Sequence, residues 1–167
     1  MTEAEFAKLA MAIREMYPQS GVLQTKSAME LWYQLLADLP YQEASAALSS
    51  YMVTNKWPPT VADIREGVTK RTTPELPEWS EAWESVINAI GRWGMHREAE
   101  ALESMPEIAR QTVKRMGWQH ICLSENIGVE RATFRDIYIV IAKRKERDAQ
   151  LPESLRITVT NKPLIGG

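Results

Sequence analysis

The sequence lacks the motifs that mark an enzyme with a self-contained active site. It contains no GxxxxGK[ST] stretch to cradle a nucleotide phosphate, and no HExxH, CxxC or EF-hand loop to hold a metal. Its two histidines, His96 and His120, are far apart, and His120 and Cys122 point to different faces of a predicted helix. No apolar segment singles out two carboxylates as general acid and base. We therefore expect no catalytic residue, no metal and no cofactor.

Cysteine and long apolar runs are also scarce. Cys122 is the single cysteine, which excludes an intramolecular disulfide and is typical of a reducing compartment. No apolar run approaches the ~20 residues that span a bilayer. The N-terminal stretch MTEAEFAKLA carries acidic residues and has no apolar signal core. We expect a cytoplasmic protein with no membrane partner.

A strong charge of one sign is absent as well. The formal net charge of the 167 residues is −2. Residues 1–70 hold eight acidic and six basic side chains, and residues 79–150 hold eleven of each. No overall basic field attracts nucleic acid, so a DNA contact would be local, along one face of a helix.

The apolar residues that are present recur at helical spacing throughout the chain. Hydrophobic residues make up 44% and charged residues 25%, an ordinary globular balance. Segments such as EAEFAKLAMAIREMY and SAMELWYQLLADL are typical of amphipathic helices, and a capping box of Ser27 and Glu30 is expected to start the second. Pro40 suits the first turn of a third helix. The expected inward residues of the first helix are Phe6, Leu9, Ile13 and Met16.

The stretch TNKWPPTVADIRE, residues 54–66, predicts a stiff corner between two helices. Asn55 is expected to end the preceding helix in the left-handed conformation. Pro58 and Pro59 fix their own φ near −65° and favour extended geometry in the residues before them. Thr60 is then the N-cap of the next helix, with Asp63 in its first turn.

The same corner contains a tryptophan, and two interpretations of it stay open. Trp57 is expected to plug the corner, while Val61, Ile64 and Val68 form the buried face of the following helix. In one interpretation the corner is purely a scaffold. In the other it orients two helical faces for docking onto a partner.

The second half predicts another group of helices. Residues 71–79 contain Pro74 and Pro77 and are typical of a semi-rigid linker. Ser80 is expected to cap the next helix, with Trp83, Val86, Ile87 and Ile90 inward. The expected organisation is all-α, with two small helical lobes at 1–70 and 80–148, the linker at 71–79 and a short mobile tail at 149–167. Within the tail, ITVT could instead pair as an edge strand.

Six tryptophans invite a search for partner contacts. Trp57, Trp79 and Trp93 lie at predicted corners or helix ends, where a half-exposed indole can act as an interaction hot spot. Packing between adjacent helices explains the same positions equally well. The core candidates, on apolar stripes, are Trp32, Trp83 and Trp118.

Basic residues concentrate on the last predicted helix. The candidates for nucleic-acid contact are Arg131, Arg135, Lys143, Arg144, Lys145 and Arg147. A solvated face of ion pairs explains the pattern about as well, because acidic residues interleave with them, namely Glu130, Asp136, Glu146 and Asp148.

The stretch LWYQLLADLPYQEASAALSSYMVTNKWPPTVADIRE resembles the N-terminal domain of the phage replicative-helicase loader and inhibitor family. The resemblance covers roughly residues 3–70 and includes Trp32, Tyr33 and Tyr51. Its most specific part is the corner, with the matching residues Asn55, Lys56, Trp57, Pro58, Pro59, Thr60, Asp63 and Ile64. The second half is more faintly similar to the portion that follows this domain in phage replication proteins.

The resemblance implies a phage DNA-replication accessory protein in the host cytoplasm. Such a protein binds the hexameric replicative helicase, holds it inactive and delivers it to origin DNA through an initiator protein, without its own ATPase. In the family the C-terminal region is largely unstructured and binds the helicase, whereas residues 79–148 here show regular apolar periodicity. The part that contacts the helicase therefore stays open. The alternative function is a DNA-binding replication or transcription adaptor that uses the basic helix at 130–147.

Overall fold

The computed structural model describes residues 1–152 and 155, and within them the chain is all-α, as predicted. The ITVT stretch and most of the predicted tail lie outside the described residues. The helices of the described part are α1 (Glu3–Met16), α2 (Lys26–Leu36), α3 (Tyr41–Thr54), α4 (Val61–Thr72), α5 (Trp79–Trp93), α6 (Glu98–Glu103), α7 (Glu107–Met116), α8 (Trp118–Leu123) and α9 (Ile127–Gln150).

The chain divides into two compact units. Unit 1 comprises residues 1–74 together with the chain from residue 148 onward, and unit 2 comprises residues 75–147. The non-helical segment between α4 and α5 runs from residue 73 to 78. Each unit has a hydrophobic core of its own, as expected for a pair of small helical domains.

The core of unit 1 forms where the apolar stripes of α1 to α4 meet. Phe6, Leu9 and Ile13 are buried as predicted, but Met16 is 54% exposed. The reason is that α1 ends at Met16, and the next residue, Tyr17, turns into the core instead. The other buried apolar residues include Leu36, Ala44, Ala47, Leu48, Ile64 and Val68.

The predicted capping box at Ser27 is wrong. Thr25 is the N-cap of α2, and its hydroxyl accepts a hydrogen bond from the backbone N–H of Ala28 at 3.1 Å. Two candidate hydroxyls lie close together here, and the earlier one reaches the free N–H groups of the first turn. Pro40 stands at the N-cap of α3, one position before the first turn.

A buried arginine ties several backbone segments of unit 1 together. Arg65 is 5% exposed and makes a two-pronged ion pair with Asp38, at 2.7 and 2.8 Å. Its guanidinium also donates to the carbonyl oxygens of Leu35, at 2.7 Å, and Gln150. The Leu35 carbonyl belongs to the last turn of α2, where backbone acceptors lack helical partners, so Arg65 satisfies a helix end as well as an anion.

Helices α3 and α4 pack closely because a glycine faces an alanine. A Cβ atom added at Gly67 would lie 2.9 Å from the Cβ of Ala47. This is well inside ordinary contact distance, so a larger residue at either position would push the helices apart. The close approach sets the geometry of the corner that joins the two helices.

Unit 2 has a core built from α5 to α9. Trp83, Val86, Trp118 and Phe134 are buried as predicted. Ile87, which we expected to face inward, is 40% exposed. The inward stripe of α5 instead continues through small residues, Ala82 and Ala89, which lie on the same face as Val86, whereas Ile87 is rotated from it by about 100°.

The helix start predicted at Ser80 is also wrong. Helix α5 begins at Trp79, and its N-cap, Glu78, makes no side-chain capping hydrogen bond. The prolines before it fix the direction of entry, and Tyr138 holds the segment by donating its hydroxyl to the Pro77 carbonyl at 2.6 Å. Packing therefore positions the start of α5 in place of a polar cap.

Candidate partner-binding surface

The corner between α3 and α4 is anchored at its first end by Asn55. The backbone N–H and the side-chain Nδ2 of Asn55 both donate to the Tyr51 carbonyl, at 2.9 and 3.2 Å. Its own carbonyl accepts from the Tyr17 hydroxyl at 2.8 Å. Asn55 thus caps α3, but in extended geometry (φ −122°, ψ 130°) and not in the predicted left-handed one. The side-chain amide supplies the capping bond, which makes the left-handed turn unnecessary.

The other end of the corner is a complete capping box, as predicted for Thr60 and Asp63. The Thr60 hydroxyl accepts from the Asp63 backbone N–H at 3.2 Å, and Asp63 Oδ2 accepts from the Thr60 N–H at 2.7 Å. Both bonds satisfy N–H groups at the start of α4. The corner is therefore held at both ends by hydrogen bonds.

Between these ends, the buried and exposed residues differ from expectation. Pro59 is among the fully buried side chains, whereas Trp57 is 70% exposed. The predicted role of Trp57 as a plug is wrong because the Pro59 ring already occupies the interior position. The indole lies on the surface, with the Lys56 ammonium 5.7 Å from its ring centroid.

A second apolar side chain is exposed just before the corner. Val53, in the last turn of α3, is 87% exposed, and in the described part of the chain Val53 and Trp57 are the two most exposed large hydrophobic residues. We call Val53, Lys56 and Trp57 the corner surface. Exposed aromatic and aliphatic side chains on a rigid support are typical of protein-binding sites.

A groove runs between α3 and α4 next to the corner surface. Its volume is about 470 Å³, and its lining includes Tyr51, Asn55, Asp63 and Lys70. Burial and, to a lesser extent, the negative charge of Asp63 raise the pKa of Tyr51 above its usual value. The phenol thus stays neutral and offers a hydrogen bond beside the apolar corner surface.

The other two tryptophans proposed as partner contacts are less exposed than Trp57. Trp79 and Trp93 are both half-buried and pack against the core of unit 2. Trp93 lies between two guanidinium groups, those of Arg92 at 5.0 Å and Arg97 at 4.5 Å from its ring centroid. These contacts favour the packing interpretation for Trp93.

The basic residues predicted to contact nucleic acid do not form one stripe. Arg131 and Arg135 lie one turn apart on α9 and both approach the Trp79 ring, at 5.3 and 6.0 Å. The four later residues are exposed, but successive helical positions differ by about 100°, so they point in different directions around α9. These residues are Lys143, Arg144, Lys145 and Arg147.

The acidic residues near them also behave differently from the predicted solvated face. Arg135 pairs with its neighbour Asp136 at 3.0 Å, but Glu130 is buried, 6% exposed. Its carboxylate accepts from the Ser124 hydroxyl at 2.9 Å and lies 3.2 Å from His120 Nε2. Glu130 thus fastens the turn between α8 and α9, a role that periodicity alone did not indicate.

Two kinds of site are missing from the described residues. Over residues 1–152 and 155, no group of three or more His, Cys, Asp and Glu side chains could hold a metal ion. No helix in that part of the chain is long and apolar enough to cross a membrane.

Comparison with known proteins bears on unit 1. A family model for the N-terminal domain of the phage helicase loader and inhibitor proteins matches residues 1–65. This range covers α1, α2, α3, the whole corner and the start of α4 up to Arg65. Comparison with curated proteins and with solved structures gave no match. The predicted resemblance is therefore confirmed: through the domain formed by residues 1–65, the chain is related to the phage helicase loader and inhibitor family.

Proposed function

We propose that this chain is a phage DNA-replication accessory protein that binds the hexameric replicative helicase in the host cytoplasm. It docks through the corner surface, holds the helicase inactive and delivers it to origin DNA, where an initiator protein takes part in release. The family match of residues 1–65 supports association with a helicase. The observation that carries the docking site is the exposed indole of Trp57, on a corner held by hydrogen bonds at both ends.

The corner surface suits docking because it is ordered before binding. The Tyr17–Asn55 bond, the Thr60 capping box and the buried Pro59 ring fix the backbone around Trp57. A rigid site loses less conformational entropy on association than a flexible loop. A tryptophan buries roughly 150–250 Å² in an interface, and such anchors commonly contribute about 2 kcal/mol or more to binding.

Inhibition and loading follow from binding energy alone in this proposal. The sequence has no phosphate-cradling loop, so the chain carries no nucleotide switch of that kind. A protein of this kind acts by binding one conformation of the helicase more tightly than the others. Release then requires a competing event, such as engagement of the helicase with DNA or with the initiator.

Protein docking has more support than the alternative, DNA binding through α9. The basic residues after position 142 point in several directions, and residues 79–150 have no excess of positive charge. Few phosphates could be contacted at once by such an arrangement. A steep salt dependence of DNA affinity, lost when Lys143, Arg144, Lys145 and Arg147 become alanine, would instead favour the adaptor function.

The proposal is tested by mixing the full-length protein with its cognate helicase, with and without ATP. Size-exclusion chromatography should show co-elution, and the ATPase and unwinding rates of the helicase should fall. The variant Trp57→Ala should lose co-elution, while Leu123→Ala, which truncates a 67% exposed residue of unit 2, should keep it. If the unmodified protein elutes separately from the helicase at low salt, the proposed function is wrong.

A further inference from the structure

Unit 2 contains a cleft in which two arginines share one indole. The guanidinium carbons of Arg131 and Arg135 lie 5.3 and 6.0 Å from the ring centroid of Trp79. The cleft has a volume of about 300 Å³, and its lining is completed by Gly128 and Ala132. We call these five residues the arginine cleft. Small residues at 128 and 132 leave room beside the two cations.

The two guanidinium groups differ in what they already bind. Arg135 is paired with Asp136, through Nε at 3.1 Å and Nη2 at 3.0 Å. Arg131 makes no ion pair or side-chain hydrogen bond with any of the described residues. Stacking on an indole contacts the flat face of a guanidinium and leaves its N–H edge available for a planar anion. The cleft therefore holds a positioned cation whose donors are unused.

We propose that the arginine cleft binds a carboxylate-bearing segment of a partner protein, with the side-chain carboxylate of an Asp or Glu received by Arg131. Charge complementarity supports this occupant, because no acidic side chain is among the residues that line the cleft. A carboxylate accepts two parallel hydrogen bonds from one guanidinium, a geometry that a neutral amide cannot match. Arg135 adds positive charge on the side of the indole edge.

A protein segment fits the surroundings better than a nucleic acid. Trp79 is half-buried and covered by the two arginines, so no base can stack on its free face. Residues 79–150 carry no net charge that would draw a phosphate backbone. Ile127 and Val129, 47% and 56% exposed in the first turn of α9, offer apolar contact next to the cations. A cationic and apolar surface of this kind is typical of a protein interface.

The test uses the full-length protein and a fluorescently labelled peptide of alternating Glu and Leu, followed by fluorescence anisotropy. The double variant Arg131→Gln/Arg135→Gln should weaken binding by about tenfold or more. The matched control Lys143→Gln/Lys145→Gln removes the same charge from the same helix and should change affinity by no more than about twofold. A peptide with Gln in place of Glu should bind far more weakly.

Two further arms decide against the alternatives. The variant Arg131→Lys/Arg135→Lys keeps the charge but loses the planar fork, and should still lose most of the affinity. Equal losses in the cleft and control variants would mean a diffuse charge effect and would overturn the proposal. So would a labelled single-stranded oligonucleotide that bound more tightly than the peptide and lost binding in the same arginine variant. All four arginine and lysine side chains are exposed, so the variants should keep the circular dichroism spectrum of the unmodified protein.

Discussion

Replacing Arg65 by methionine should destabilise unit 1 by about 3 kcal/mol, more than any exposed charge substitution in the chain. The variant leaves Asp38 without its two-pronged partner and removes the donor to the Leu35 and Gln150 carbonyls. Removing one partner of a buried ion pair costs roughly 3–5 kcal/mol. The lower end applies because the Asp38 side chain is 27% exposed and regains some hydration.

The matched control is Arg71→Ala. Arg71 pairs with Glu43 at 3.0 Å, but the two side chains are 46% and 35% exposed, so the loss should be about 0–1 kcal/mol. Hydrogen exchange of the backbone amides of α4 reports the opening free energy of this region without interference from unit 2. Pairing Arg65→Met with Asp38→Leu should recover much of the loss, because no charge is then left unpaired.

The result that would refute this reasoning is equality of the two variants. If Arg65→Met lowered the opening free energy of α4 by less than about 1 kcal/mol, the buried ion pair would be no more important than a surface pair. Failure of the double variant to recover stability would show that the arginine acts mainly through its bonds to the two carbonyls.

Three further outcomes are expected. Gly67→Ala should destabilise by about 1 kcal/mol or more, because its Cβ would lie 2.9 Å from that of Ala47, whereas Gly91→Ala, with nothing within 4 Å, should stabilise by about 0.5–1 kcal/mol; thermal melts that ranked them in the opposite order would contradict the packing. Thr60→Ala should cost about 0.5–2 kcal/mol in urea unfolding through loss of the α4 cap, and Thr60→Ser should restore it. Burial raises the pKa of the Cys122 thiol, so iodoacetamide at about pH 8 should modify the folded protein more slowly than the urea-unfolded chain, and equal rates would argue against burial.

The features that could be predicted from sequence are those encoded within one turn of the chain. The Thr60–Asp63 capping box is local chemistry, and its spacing alone was enough to predict it. Ile64 and Val68 were correctly expected in the core because helical periodicity places them on one face. The corner motif was recognisable for the same reason, as a short run of residues with restricted backbone geometry.

The features that were mispredicted depend on competition between residues for the same space. Trp57 has the larger apolar side chain, yet Pro59 occupies the interior, and composition does not say which of two neighbouring rings will do so. The Tyr17–Asn55 bond joins residues 38 positions apart. Ala82 and Ala89 replaced Ile87 on the inward face of α5 because small residues suit a close helix contact. A signal for the last case was present in the alanine spacing itself.

Glu130 illustrates a third kind of limit. Its position among basic residues favoured a solvated ion-pair face, and only the turn after α8 shows that Ser124 and His120 reach it. A buried carboxylate with two polar neighbours is a structural fastening, and sequence spacing across a turn does not reveal it.

The measurement that tests the central claim most directly is the dissociation constant of the full-length protein for its cognate helicase, compared between Trp57→Ala and Leu123→Ala. Burial of the indole at the interface predicts that Trp57→Ala weakens binding by about 30-fold, equivalent to roughly 2 kcal/mol. Leu123→Ala, similarly exposed but in unit 2, should bind as the unmodified protein does. If the two variants bound the helicase with equal affinity, the corner surface would not be the docking site.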